Sequence, residues 1–416
     1  MKIIVAHNFY MEPGGEDQVF RSEIELLREF GHEVIPFEVH NDAVADMSNP
    51  GLFTATIWNR KIAGEIQDLV LRHQPKVVHF HNTFPLISPA AYYAAGSGGA
   101  AVVQTLHNFR LICPGAMLYR DGHNCQDCLG KSVALAGIRH GCYRGSRAAT
   151  AVTVLANTVH RAIGTYATEI DAFIALTPFA LDKFITGGLP QEKMHVKPNF
   201  VNPDPGVRAG GGGYATFVGR LSKEKGLPVL LDAWKTLGAE IPLKIIGDGP
   251  LAPLVKDAVA NNPRIEWLGR RSMNEIFDTV GGAEVHIFPS QCYETFGRVA
   301  IEAFAVGTPV IASGHGAPAD VVGADGRLGG LFTPGDAGSL VAKVREMRST
   351  DALRTTMRDA VRREFESHYT GPRNHQQLMQ IYKKAMQRRG EAEQVDRPVY
   401  REPFRIAART ILDPAT

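Results

Sequence analysis

The sequence predicts an α/β protein built from two doubly wound, Rossmann-like domains that face a cleft, and three observations carry the prediction. Short apolar runs alternate with segments of helical periodicity through both halves, the pattern of parallel sheets covered on both faces. One Pro/Gly stretch, NPDPGVRAGGGG at 202–213, interrupts the alternation and offers nothing to a core. The chain has 416 residues, more than the roughly 250–300 that a single core supports.

The elements follow in order. Residues 2–6 (KIIVA) read as the first strand, and Pro13-Gly14-Gly15 turns the chain. Val19, Phe20, Ile24, Leu27 and Phe30 fall at helical spacing over 16–30. Gly31 stops that helix, and 33–39 is the next strand. A helix around Ile62, Ile66, Leu69 and Val70 leads to a strand at 76–80, and a helix at 89–95 leads through a glycine-rich turn to a strand at 101–106. Strand 172–176, helix 178–185 and strand 194–198 complete the first half. After the linker, strands at 214–218, 243–246, 264–268, 285–288 and 309–312 alternate with helices at 227–234, 251–259, 273–281 and 297–305. Beyond Asp336 the chain is mainly helical. The expected division is a first domain over 1–201, a linker over 202–213 and a second domain over 214–370. A helix over 371–389 is expected to pack back on the first domain, with a polar, loose tail over 390–416.

Composition narrows the class. A formal charge of +2 gives no footprint for nucleic acid. No run approaches the ~18 apolar residues of a membrane span. Met1 leads straight into a short strand with no signal-like apolar region, so a cytoplasmic protein with reduced cysteines is expected.

Three turns of the second half carry groups suited to phosphate and sugar. Gly219-Arg220 ends a strand, and Lys225-Gly226 opens a helix whose unpaired N–H groups attract anions. Gly247-Asp248-Gly249-Pro250 is a tight strand-to-helix turn where backbone can approach a ligand. Pro289–Gly297 (PSQCYETFG) holds Glu294 before a helix that carries Glu302 among Ile301, Ala303 and Phe304. A buried carboxylate needs partners, and a ribose diol would supply two. Each piece also has a plain reading: a solvated basic turn, an ordinary turn, a buried glutamate satisfied by protein. Their succession along one sheet edge is what favours a shared site, because such sheets bind ligands beyond the carboxyl ends of their strands.

Taken together, FVGRLSKEKGL, IIGDGPL, WLGR and PSQCYETFGRVAIEAFAVGTPVIAS resemble glycosyltransferase family 4, retaining enzymes of the GT-B fold (glycosyl transferases group 1). The resemblance spans most of the chain, and the last stretch contains the family's E-x7-E arrangement at Glu294 and Glu302. It implies that the first domain binds the acceptor and the second a nucleotide-sugar. By this likeness Arg220 and Lys225 would hold the donor diphosphate, Glu302 the ribose and Glu294 the sugar. Gly219, Asp248 and the Phe296-Gly297-Arg298 backbone would close on the donor. In the first half Gly14 and Gly15 match the family's glycine loop, and His107 in Thr105-Leu106-His107-Asn108 its active-site histidine. His79 and His81 share one face of a strand, with His81-Asn82 on the acceptor side, and Pro198-Asn199 resembles the family's hinge.

The expected activity is therefore retaining, metal-independent transfer from a UDP- or GDP-sugar to a saccharide or lipid-linked saccharide. Exopolysaccharide, lipopolysaccharide or other glycoconjugate assembly would be its setting. The resemblance implies retention without a clear nucleophile and hence front-face transfer, with the departing diphosphate taking the acceptor proton and the protein stabilising charge. No Asp-x-Asp occurs to hold a catalytic metal, and no cofactor is expected. A nicotinamide dehydrogenase is disfavoured because the pattern begun at Gly247-Asp248-Gly249 has Ala252 where it needs glycine. A sugar-nucleotide epimerase of similar architecture and a non-catalytic nucleotide-sugar binding protein are the alternatives.

Four of the five cysteines, Cys113, Cys125, Cys128 and Cys142, lie in one segment as C-x11-C-x2-C-x13-C. A structural zinc site and a set of unlinked reduced thiols both fit that spacing, and Cys292 reads as a packing residue. The same segment sets Arg110, Arg120, Lys131, Arg139, Arg144 and Arg147 against Asp121 and Asp127. A solvated loop is one reading. An anionic lipid-linked acceptor, met in peripheral contact with an anionic membrane at its inner face, is the other.

Overall fold

A computed structural model describes residues 1–11, 14–349 and 351–394. The first half contains β1 (Lys2–Phe9), α1 (Gly15–Glu29), β2 (Glu33–His40), α2 (Asn49–Ile57), α3 (Arg60–His73), β3 (Val77–Phe80), α4 (Ala90–Ser97) and β4 (Ala101–Thr105). The cysteine segment follows with β5 (Tyr119–Arg120), β6 (His123–Asn124) and α5 (Leu135–His140). Then come α6 (Arg147–Ala162), α7 (Thr165–Thr168), β7 (Ala172–Ala175), α8 (Pro178–Thr186) and β8 (Met194–Val196). The second half contains β9 (Ala215–Val218), α9 (Leu227–Leu237), β10 (Leu243–Ile246), α10 (Ala252–Asn261), β11 (Ile265–Gly269), α11 (Met273–Gly281) and β12 (Val285–Phe288). It continues with α12 (Arg298–Ala305), β13 (Val310–Ser313), α13 (Gly316–Val322), β14 (Gly329–Phe332), α14 (Ala337–Met347), α15 (Asp351–His368) and α16 (Gly371–Gln394).

Two parallel six-stranded sheets result. Their orders are β2-β1-β3-β4-β7-β8 and β11-β10-β9-β12-β13-β14, which confirms the doubly wound α/β class. Alternation along the strands sorts side chains to the two faces. In β1, Ile3 and Val5 join a core with Phe20, Leu27 and Tyr382, while Ile4 and Ala6 join another with Ile66, Phe80 and Tyr92. In the second sheet Phe217, Ile245 and Ile287 pack under Leu230 and Trp234, and Val310 and Ala312 under Phe304 and Phe365.

Where order reverses, a crevice opens beyond the carboxyl ends of the strands. In the second sheet that point lies between β9 and β12, whose following turns begin at Gly219 and Pro289. In the first it lies between β1 and β3, so His81 and Asn82 emerge there.

Four features differ from the sequence-based expectations. β5, β6 and β14 were not anticipated, nor were α2, α5, α6, α7 and α13. The 202–213 stretch is tied to the second domain, with Arg208 N donating to the Val306 carbonyl at 3.1 Å and Gly212 N to that of Gly282 at 2.9 Å. The last helix runs past 389 to Gln394, and α16 lies against β4, β7 and α1 of the first sheet. The remainder of the expected tail, 395–416, falls outside the described residues. Among the described residues no helix is long and apolar enough to cross a membrane.

Candidate active site

Glycines shape the donor side. Gly226 starts α9 with φ +76°, and a Cβ there would meet the Pro289 carbonyl oxygen at 1.8 Å. Gly247 (φ +131°) packs equally hard, its absent Cβ falling 1.9 Å from the Gly219 carbonyl oxygen. Gly297 (φ +97°) caps α12, with the Phe288 ring where a side chain would go. These contacts draw the three turns together at the switch point between β9 and β12.

The charged groups are paired in ways the spacing did not reveal. Lys225 Nζ lies 2.6 Å from Glu294 Oε1, which also accepts from Ser290 Oγ at 2.7 Å. Burial alone would raise Glu294, but the Lys225 ammonium and the Ser290 hydroxyl hold it below the usual carboxylate range. Burial would lower Lys225, yet Glu294 and its neighbours raise it above the ordinary lysine value. Lys225 is thus a fixed cation beside the α9 N-terminus. Glu302 is buried as expected and pairs with Arg298 Nη2 at 3.0 Å.

Arg298 links the two domains. Its Nη1 donates to the Gly15 carbonyl at 3.2 Å, bringing the glycine loop against the Glu302 helix. Thr295 Oγ1 donates to the His107 carbonyl at 2.6 Å, so the Glu294 turn touches the first domain's histidine. Direct contacts therefore join the Lys225–Glu294 and Arg298–Glu302 pairs of the second domain to His107 and Gly15 of the first. Gly14 caps α1, with its N–H on Asp17 Oδ2 at 2.7 Å. Gly219 and Asp248 meet on the far rim, where Leu221 N donates to the Asp248 carbonyl at 2.9 Å. Arg220 and Asp248 are both exposed there, and Asp248 Oδ2 stands 3.9 Å from Arg270 Nε.

Several groups were missed. His315 Nε2 sits 3.0 Å from the Ser290 carbonyl and its Nδ1 3.0 Å from Asn124 Nδ2, while Asn124 Oδ1 accepts from Tyr293 N at 3.1 Å. The hairpin inside the cysteine segment thus reaches the donor turn. In the first domain, Asn108 Nδ2 donates to Tyr10 OH at 3.2 Å. Glu16 joins them with a buried Oε2 that has no hydrogen-bond partner among the described residues. Burial, then the charge of Asp17, pushes Glu16 up to about 7 against the Tyr10, Arg110 and Asn108 contacts. A glutamate one residue after the glycine pair was visible in the sequence, but nothing there showed that it is buried.

The cysteine segment collects all four thiols, each in the reduced form. Burial pushes Cys128 up to about 11, and the charges of Cys113, Cys142 and Cys125 add to the effect. Among the described residues, however, no three of these sulfurs lie within 4.8 Å of one another, wider than a closed tetrahedral zinc set. Three of the segment's charged residues pair with one another, Arg120 lying on Asp127 at 3.0 Å and on Asp121 at 3.3 Å. Arg110 lies over the Phe84 and Tyr143 rings at 4.7 and 4.8 Å.

Comparison with known proteins bears on both halves. The sequence profile of glycosyl transferases group 1 matches residues 203–364, and that of Glycosyltransferase Family 4 matches residues 13–205. An uncharacterized glycosyltransferase of Methanocaldococcus jannaschii is 33% identical over 161 residues, covering 38% of this chain and 45% of its own. The sulfoquinovosyl transferase SQD2 of Arabidopsis thaliana is 31% identical over 153 residues, covering 36% and 29%. The chain spans less than half the length of these curated relatives. Among solved structures, a glycosyltransferase from Rickettsia africae superposes with TM-score 0.67 at 16% identity, covering 92% of this chain and 99% of its own. Anabaena HepE in complex with UDP-glucose gives 0.63 at 16%, covering 91% and 98%. At such identity the likeness is one of fold, and the fold is that of GT-B glycosyltransferases.

Proposed function

The chain belongs to glycosyltransferase family 4, and from that premise we propose that it moves a sugar, with retention, from a nucleoside-diphosphate sugar to an acceptor hydroxyl. The observation that carries this reading is the pairing at the switch point. Lys225–Glu294 joins two of the donor turns, Arg298–Glu302 lies on the helix that follows the second, and two direct contacts tie this stretch to Gly15 and His107. A leaving diphosphate at the α9 N-terminus meets Lys225, with Arg220 on the rim, in a partly dry setting where a preorganised cation acts strongly. Glu302 and Arg298 would take the ribose and a phosphate oxygen, and Glu294 the sugar. The UDP-glucose in the Anabaena relative's structure makes a uridine donor the first to test.

The site offers cations and N–H groups in place of a metal, which supports metal-independent transfer. Release of nucleoside diphosphate in excess chelator tests it: unchanged turnover is expected, and collapse restored by Mg²⁺ or Mn²⁺ would overturn it. Anomeric ¹H NMR of the product tests retention. Donor alone converted to its epimer would favour an epimerase. Binding without any turnover would favour a nucleotide-sugar binding protein.

Glu16, Tyr10, Asn108 and Arg110, with the basic segment behind them, form the proposed acceptor side, which suits an anionic lipid-linked saccharide. Vesicle binding that is indifferent to anionic lipid would favour a free saccharide. Zinc at Cys113, Cys125, Cys128 and Cys142 stands as a structural proposal that requires the thiols to draw together on binding. About one zinc per purified chain would support it, and a content near zero would remove it.

A further inference from the structure

Behind His107 the first domain buries a chain of ionisable groups that leaving-group stabilisation does not use. Glu23 of α1 is completely buried. Its Oε2 lies 3.1 Å from Lys197 Nζ, and its Oε1 lies 2.9 Å from His79 Nδ1 and 3.1 Å from His81 Nε2. His81 Nδ1 in turn lies 2.9 Å from His107 Nε2. The last helix closes the back: Lys197 Nζ donates to Asn374 Oδ1 at 3.0 Å, and Tyr382 OH sits 2.8 Å from His79 Nδ1.

Hydrogen-bond directions along this chain follow from the carboxylate. Burial alone would raise Glu23, but the Lys197 ammonium and the His79 and His81 rings hold it well below the usual range. A carboxylate has no proton to give and accepts only. His81 Nε2 must therefore carry the N–H. Burial lowers His81 to about 4 despite the pull of Glu23, so the ring is neutral near pH 7 and its Nδ1 is a lone pair. His107 Nε2 faces that lone pair and must donate to it. Burial holds His107 well below the usual imidazole range, so it is neutral too and its Nδ1 is left as an acceptor.

The ligand atoms of Glu23, His79 and His81 lie within 4.8 Å of one another, a spacing that could suit a cation. The Lys197 ammonium on the same carboxylate excludes one by repulsion.

We propose that Glu23 and His81 are positioning residues that lock His107 in its Nε2–H tautomer, so that it presents Nδ1 as a neutral acceptor for a hydroxyl hydrogen of the substrate. A histidine so held cannot donate to the substrate while remaining neutral. The tautomer at one ring is set by what the other nitrogen bonds, and here the setting passes through two rings from one carboxylate.

The test uses the full chain labelled with ¹⁵N at histidine. Long-range ¹H–¹⁵N correlation is expected to show His107 protonated at Nε2 in the wild type. His81→Leu should give a tautomer mixture and a kcat lower by about tenfold to a hundredfold, with donor KM little changed. His81→Gln, whose amide oxygen can accept the same N–H, should recover most of the rate. Glu23→Gln alone would strand the Lys197 charge, so it is paired with Lys197→Gln, and that double variant should also release the tautomer. A wild-type His107 protonated at Nδ1 would overturn the proposal, as would His81→Leu with tautomer and kcat unchanged. A double variant that keeps the Nε2–H form would remove Glu23 from it. The kinetic arm rests on the glycosyl-transfer reading, whereas the spectrum needs no substrate. Absent wild-type turnover would count against that reading, and a wrong spectrum against this one.

Discussion

Lys225 is a cation held in place before any ligand arrives, because Glu294 and Ser290 fix the far side of its ion pair. Its charge should hold the diphosphate of the bound donor and act more strongly still as charge develops on the leaving group in the transition state. Lys225→Ala is expected to lower kcat by about 10²–10³ in a donor-turnover assay, with circular dichroism showing the fold retained. Glu16 gives a pH signature instead. Its folded carboxyl titrates at about 7 against an ordinary 4.5, so the folded chain holds more protons than the unfolded chain between those values. Its contribution to stability is best below the unfolded pKa and declines as pH rises through the folded one. Glu16→Gln removes the decline. Melting temperatures of the two proteins should separate between about pH 5 and pH 8, with the variant the more stable at the alkaline end. An unchanged gap would mean that Glu16 is not buried as described.

At the scale of elements, the donor turns depend on glycines that touch backbone. Gly247→Ala would place a methyl 1.9 Å from the Gly219 carbonyl oxygen at φ +131°. The turn must move, at a cost of about 1–3 kcal/mol, and thermal melts should show it along with weakened nucleotide binding. These turns were legible in the sequence because each is local: a strand end, a glycine and a charged residue within about ten positions. The acceptor side was not. Glu23 sits on the apolar stripe of α1 between Phe20 and Ile24, which was a signal, but its partners His81 and Lys197 are 58 and 174 positions away. α6 escaped notice because its buried residues include Thr150, Thr153, Ala156 and His160, small or polar side chains that blur the helical period. β14 escaped because Gly329 and Gly330 head it, and a Cβ on Gly329 would strike the Val310 carbonyl oxygen.

At the scale of the whole molecule the chain passes between the two large sheets twice, by the 202–213 crossing and by the return of α16 to the first sheet. That return places Leu378, Ile381, Tyr382 and Ala385 in the first domain's core and Asn374 on Lys197. Ending the chain before Gly371 would take Leu378, Ile381 and Tyr382 out of that core, each burial worth about 1.5–3 kcal/mol, and would uncover the Phe20, Leu27 and Val103 face they cover. It would also free the Glu23 cluster, so the first domain should melt well below the full chain, and a truncated chain with unchanged melting would contradict this packing. The candidate site is also a property of the whole. Lys225, Glu294 and Glu302 belong to the second domain, the histidine chain and Glu16 to the first, and Arg298 and Thr295 join them. The central claim is that this junction binds a nucleoside-diphosphate sugar through Lys225. Thermal shift across UDP, GDP and ADP, their sugars and NAD, on the wild type and on Lys225→Ala, tests it most directly. A ligand at a hundred times its dissociation constant adds about 2.7 kcal/mol. Selective stabilisation by one nucleoside diphosphate and its sugar, lost in Lys225→Ala, is the predicted result, and stabilisation by NAD alone, or equal stabilisation of both proteins, would contradict it.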